Sequence, residues 1–129
     1  MKITSIQCLI LDKEFPYVFI ETDEGITGIG ECFRRQPVIT KTIIDEILAP
    51  AIIGKNPTDT NMRFDDMTVA GNALTEMGGA VWIGIAALDI ALWDIKGKSL
   101  GLPIYELLGG KVREKMPIYA SSMKRGMTP

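Results

Sequence analysis

Hydrophobic positions recur along this chain with two different periods. Up to residue 32 the period is two. Ile6, Cys8 and Ile10 share one side of a first segment over 3–11, with Ser5, Gln7 and Leu9 on the other. Residues 17–22 are rich in aromatic and β-branched side chains and predict a second strand, and 26–32 predicts a third. The polar break Asp12-Lys13-Glu14-Phe15-Pro16 predicts a loop, and Asp23-Glu24-Gly25 a tight turn with glycine at positive φ. The expected arrangement is a three-stranded antiparallel meander. Gly28-Ile29-Gly30 lies inside the third strand and opens no helix, so it is not a phosphate loop; it marks a bulge or the close approach of another element.

From Pro37 the spacing changes to three and four. Pro37 suits a first helical turn, Ile39, Ile43, Ile44, Ile47 and Leu48 form one stripe, and Pro50 is expected to end that helix. Thr58 is the expected N-cap of a following helix through about Val69, with Asp59 favouring its dipole. Residues 70–79 predict a turn. The chain is then organised around one stretch, 79–98, apolar around most of its circumference, which predicts a helix packed on several sides. Ile85, Leu88, Leu92 and Ile95 mark a buried face, while Ala86, Ala87 and Ala91 let neighbours come close to the backbone. Lys96 and Lys98 meet the negative end of its dipole, Gly101 offers a left-handed stop, and Pro103 can begin a short helix. After Gly110 comes a charged connector, 111–115, and a strand predicted over 116–122. That strand has no sheet to join, so the chain is expected to continue beyond Pro129.

Composition narrows the function classes. With 47% hydrophobic and 23% charged residues, usage is that of a folded globular domain. A net charge of −2 gives no argument for nucleic acid or an anionic membrane as partner. Residues 1–6 are too mixed for a secretory leader, so a cytoplasmic location is expected. Cys8 and Cys32 read as buried thiols in a reducing compartment, with a disulfide open if their strands pair. There is no histidine, which removes the commonest general base, the commonest metal ligand and the Ser-His and Cys-His nucleophile arrangements.

The run Ala87-Leu88-Asp89-Ile90-Ala91-Leu92-Trp93-Asp94-Ile95-Lys96-Gly97-Lys98, with Leu100-Gly101-Leu102-Pro103 and Leu107-Leu108-Gly109-Gly110 after it, resembles the mandelate racemase/muconate lactonizing enzyme group of the enolase superfamily. The meander ending Gly28-Ile29-Gly30-Glu31, the helices, and Arg113 to Pro117-Ile118-Tyr119-Ala120 come in the order that family shows. The Trp93-Asp94 pair is more similar to the mandelate racemase and sugar-acid dehydratase branches than to the muconate or dipeptide-epimerase branches.

The resemblance implies an α+β capping domain over 1–112, a meander followed by a helical bundle. Residues 113–129 would begin a (β/α) barrel, of which roughly 250 residues are needed for a complete one. It implies an enzyme, a lyase or isomerase, that removes the proton alpha to a carboxylate with Mg2+ held on three acidic barrel residues. The metal ligands and bases have no counterpart here, so the chain alone is expected to be inactive and to bind no metal. Expected partners are a carboxylate small-molecule substrate, the missing barrel domain and further copies in a homo-oligomer. An alternative is a stand-alone protein-interaction domain derived from the same fold.

By the same resemblance, the loops 12–16 and 31–36 reach over the barrel mouth. Arg34 and Arg35 would then meet a substrate carboxylate, with two parallel hydrogen bonds from each guanidinium, and Phe15 would form an apolar wall. The plain readings stay open: a solvated basic loop, and a phenylalanine packed under its own loop. Lys96-Gly97-Lys98 has the spacing of the family's catalytic lysine pair but lies at a helix end, where it reads as solvated charge. Asp89 and Asp94 are about 140° apart around a helix and form no paired-carboxylate site. Asp94 can pair instead with Lys98.

Overall fold

A computed structural model describes residues 1–72 and 79–119. Strands β1 (Ile3–Leu11), β2 (Phe15–Thr22) and β3 (Thr27–Glu31) form the expected antiparallel sheet in the order β1-β2-β3. The meander is built by its turns. Asp12 and Lys13 both take left-handed backbone conformations, and Glu14 N–H closes on Leu11 O at 3.0 Å. At the second turn Gly25 has φ 77°, and the Thr22 hydroxyl both donates to Ile26 O and accepts from Ile26 N–H.

The sheet differs in detail from the sequence reading, β3 being one residue shorter at each end. β2 begins at Phe15, so the first loop is only Asp12–Glu14, and Pro16 sits inside the central strand opposite Ile10. Its carbonyl still serves the sheet, accepting Cys32 N–H at 2.9 Å. In β1 the pairing slips between Ile3 and Ser5, leaving Thr4 as an extra residue. That bulge lets Ile3 point inward together with Cys8, although one number is odd and the other even.

The helical layer covers the inner face of the sheet. Helix α1 (Pro37–Ile43) runs through a π turn at Ile44–Leu48 into α2 (Ala49–Ile52). Pro50 therefore does not end the helix, contrary to expectation. Ala49 N–H bonds back five residues to Ile44 O, and this wider turn relieves the clash a proline ring makes with the carbonyl four residues earlier. Ile43, Ile44 and Leu48 of the expected stripe are buried, whereas Ile39 is exposed.

Helix α3 (Thr60–Gly71) starts one residue later than expected, with Asp59 rather than Thr58 at the N-cap position. Thr58 is occupied locally: its N–H and hydroxyl both donate to Asn56 Oδ1, at 3.2 and 3.0 Å. The turn expected over 70–79 is helical to Gly71, and 73–78 lie outside the described residues.

Helix α4 (Gly79–Leu100) is the centre of the molecule. Val81, Ile85, Leu88, Leu92 and Ile95 pack with Val18 and Ile20 of the sheet, Ile44, Leu48 and Ile52, and Met67 of α3. Beyond Gly79, only Trp82, Ala86 and Ile90 break out as an exposed stripe over its first three turns, and the Trp82 ring lies 6.4 Å from that of Phe64. The helix stops as expected. Gly101 takes φ 65°, and Leu102 N–H and Gly101 N–H return to Gly97 O and Lys98 O at 3.0 and 3.3 Å. Pro103 then leads into helix α5 (Ile104–Leu107).

The strand expected over 116–122 is absent from the part described, 116–119; residues 120–122 lie outside the described residues. A strand exists only through its ladder bonds, and no described strand runs beside this segment. Val112, Met116, Ile118 and Tyr119 are all exposed.

Candidate functional site

The 31–36 loop leaves β3 at the end of the sheet where the β1–β2 turn also lies, and the two meet. Arg34 Nη1 is 3.7 Å from Glu14 Oε1, with both side chains more than half exposed, so the pair tethers the loops weakly. Gln36 holds a left-handed conformation, φ 57°, at the N-cap of α1. This turns the chain sharply into Pro37 and sets Arg35 on the rim of a groove of about 270 Å³. The groove lies between the loop, α1 and the first turns of α4, and its walls include Phe33, Thr40 and Ile83.

The three expected substrate-contact residues are therefore not gathered at one point. Arg35 lines the groove; Arg34 faces Glu14; Phe15 is half-buried on β2, on the sheet face carrying Tyr17 and Phe19. The sequence reading passed over Thr40, which is buried on the groove side of α1 although Ile39 beside it is exposed. Its only signal was a threonine at a core-facing position of an amphipathic helix.

The acids and lysines of α4 have structural duties. Asp94 Oδ2 accepts from Lys98 Nζ at 2.7 Å and from the backbone N–H of Ile29 at 3.0 Å, while Lys98 Nζ also reaches Thr27 O at 2.7 Å. Lys96 Nζ stands 5.1 Å over the Trp93 ring. Burial pushes the Asp89 carboxyl above its ordinary range, against a hydrogen bond from Trp93. Cys8 and Cys32 are free and buried; the hydrogen bond to Cys8 and then burial drive the Cys32 thiol well above its usual range. Among the described residues no three His, Cys, Asp or Glu side chains converge as a metal-ligand group. No described helix is long and apolar enough to cross a membrane.

Comparison with known proteins gives this geometry a context. The profile of the mandelate racemase / muconate lactonizing enzyme N-terminal domain matches residues 6–109. D-galactonate dehydratase of Ralstonia pickettii is 41% identical over 120 residues, covering 93% of this chain and 31% of that protein. The D-galactonate dehydratase of Xanthomonas campestris is 43% identical over 120 residues, covering 92% of this chain and 31% of its own length. The chain thus spans under a third of the curated relatives it matches. Among solved structures, an enolase-superfamily member from Salmonella Typhimurium superposes with a TM-score of 0.85 at 36% identity, covering 98% of this chain and 33% of the other. An enolase from Agrobacterium radiobacter with bound sodium and L-malate gives 0.79 at 30% identity, covering 88% and 29%. With its meander, its helical layer and its central Trp93-Asp94 helix all accounted for, the chain belongs to the mandelate racemase / muconate lactonizing enzyme family, as the N-terminal capping domain of an enolase-superfamily enzyme.

Proposed function

We propose that this chain caps the active site of an acid-sugar dehydratase, an enzyme that removes the proton alpha to a carboxylate and expels a neighbouring hydroxyl as water. The observation that carries the reading is the 41–43% identity to D-galactonate dehydratases across nearly the whole chain. In this reading residues 1–112 form the cap and 113–129 lead into a (β/α) barrel. The exposed apolar side chains of Leu100, Leu102, Tyr105 and Leu108 support such an arrangement, because they sit where the chain leaves the cap and the barrel would cover them.

The described residues do not fit a magnesium site, since no acidic cluster forms among them. In this reading Mg2+ and the proton-abstracting bases belong to the barrel, and residues 1–129 alone form no product. The cap supplies closure and selection. Arg34 and Arg35 present guanidinium groups suited to a carboxylate, and Phe15 gives an apolar wall beside the loops. The enzyme works in the cytoplasm as a homo-oligomer.

The test uses the full-length protein. Incubated with Mg2+ and D-galactonate, and in parallel with other sugar acids, it should form a 2-keto acid detectable as its semicarbazone, whereas residues 1–129 alone should form none. Replacing Arg34 and Arg35 by methionine should raise KM about tenfold or more, the worth of one charge-assisted hydrogen bond. Failure to dehydrate any sugar acid would refute the activity, and an unchanged KM would refute the arginine assignment.

A further inference from the structure

Strand β2 is apolar on both sides. Pro16, Val18 and Ile20 are buried toward the helical layer, while Phe15, Tyr17 and Phe19 alternate with them on the outer face of the sheet. An antiparallel sheet with one wet face alternates apolar and polar positions, and a strand apolar throughout is the pattern of one covered on both faces. The flanking strands agree. The register sets Leu11 beside Phe15, Leu9 beside Tyr17, and Ile29 beside Phe19. Leu11, Leu9 and Ile29 are 49%, 45% and 43% exposed, and the three aromatic side chains are only partly buried. Six large apolar side chains thus form one open patch, on the side of the sheet that the helical layer does not cover.

Position, size and charge say what covers it. The chain leaves the cap on the other side of the sheet. There α5 folds back on the end of α4, with Leu102 O and Ile104 Cγ1 2.9 and 3.6 Å from where a Gly97 Cβ would lie. The barrel of the dehydratase reading is therefore tethered to the helical layer, and the outer face of the sheet turns away from it. Three strands about 4.8 Å apart and eight residues at about 3.4 Å each give this face a footprint of roughly 400 Å². Two such faces bring together roughly 800 Å², most of the about 1,000 Å² at which a specific interface begins, and contacts at the rim supply the rest. The only charged residues on the outward positions of the three strands are Glu21 and Glu31, at opposite ends. A twofold axis crossing the strands keeps the acids of two copies apart. It sends Glu21 of one copy toward the β1–β2 turn of the other, where Lys13 is exposed.

We propose that the outer face of the sheet is the contact with a second copy of this chain, packed face to face about a twofold axis that crosses the strands. The two sheets then stand about 10 Å apart with their strands within about 30° of each other, and Tyr17 and Phe19 of each copy interdigitate over the other's β2. An aromatic centre with its charges at the ends is the make-up of an interface core and its rim. Phe15 lies at the loop end of the face, so the contact centres on Tyr17 and Phe19 and leaves the 31–36 loop free. The proposal gives the homo-oligomer of the dehydratase reading its contact face, and it rests on that reading only for the side on which the barrel continues.

The test uses the full-length protein. With p-benzoylphenylalanine in place of Phe19, irradiation should join two chains covalently, the cross-link falling within residues 5–31 of the second copy. Joining only to the barrel of the same chain, or no joined pair, overturns the proposal. Sedimentation gives a second readout. The wild type should run as a dimer or a multiple of one. Leu9→Lys combined with Ile29→Lys should cut that mass at least in half with an unchanged circular dichroism spectrum, since both side chains are nearly half exposed in the single chain. A monomeric wild type, or a double variant that keeps the full mass, overturns the contact. If the double variant misfolds, the cross-link alone decides. Neither readout depends on turnover, so a protein that dehydrates no sugar acid still reports on the contact.

Discussion

The carbonyl oxygen of Ala87 occupies the space where a side chain on Gly30 would begin. Gly28 stands in the same relation to the carbonyl oxygen of Ala91, with Ile95 Cγ1 2.6 Å from where its Cβ would lie. β3 therefore lies directly on the backbone of α4, and both partners must be small. Gly30→Ala should cost roughly 2–4 kcal/mol of folding stability, because the obstacle is backbone and cannot rotate away. Denaturant unfolding of the single variant would measure this; a loss under about 0.5 kcal/mol, the range of a harmless surface change, would contradict the packing.

Asp94 joins the same two elements by a polar route. Its carboxylate takes both Lys98 Nζ and Ile29 N–H, and its side chain is 28% exposed. Asp94→Ala should destabilise by about 1–3 kcal/mol, more than an isolated exposed pair would. Hydrogen exchange at Ile29 should rise with it, whereas Lys98→Met should leave that amide protected. Equal exchange at Ile29 in wild type and Asp94→Ala would disprove the clamp.

Asp66 is the place to look for acid sensitivity. Lys55 at 2.9 Å, and then Arg63 at 2.7 Å, hold its carboxyl below the ordinary range; the Arg63 side chain is itself only 6% exposed. Because the folded pKa is depressed, the stabilisation is complete above the unfolded value of about 3.9 and is lost as pH falls through the folded one. Asp66→Asn should thus be less stable than wild type at pH 7, by about 1–3 kcal/mol given the buried guanidinium it leaves. The gap should close in the acid range. A difference that stays constant down to about pH 2 would rule out this linkage.

The thiols should be silent in the native chain. Cys8 and Cys32 are 1% and 4% exposed, and Cys32 holds its proton through the hydrogen bond to Cys8 and through burial. Iodoacetamide at about pH 8, near the ordinary thiol pKa, should modify both in denaturant and neither, on the same timescale, in the folded protein. Rapid native labelling would show that the end of β3 opens.

Much of this fold was legible because local pattern and tertiary outcome agree. The meander, the buried face of α4 and its stop at Gly101 come from periodicity and from glycine at positive φ. The sequence also carries the Asp94–Lys98 pair, since the two are one turn apart. What stayed hidden depends on partners distant in the chain. Nothing local says that Asp94 reaches Ile29, that Asn56 diverts Thr58 from capping, or that a π turn carries the helix through Pro50. The site was less legible still. Arg34 and Arg35 look alike in sequence and are separated only by Glu14.

The polar contacts on β1 and β3 have a consequence for solubility. An open sheet edge is a template on which another chain can add a strand. On β3 the outward donor and acceptor, Ile29 N–H and Thr27 O, are taken by Asp94 and Lys98. On β1 the Ile3 N–H and carbonyl are taken by Lys55 O and Gly54 N–H, and the Cys8 carbonyl by Lys41 Nζ. These rungs on the two margins of the sheet are thus taken by the molecule's own groups, and strand addition finds none of them free.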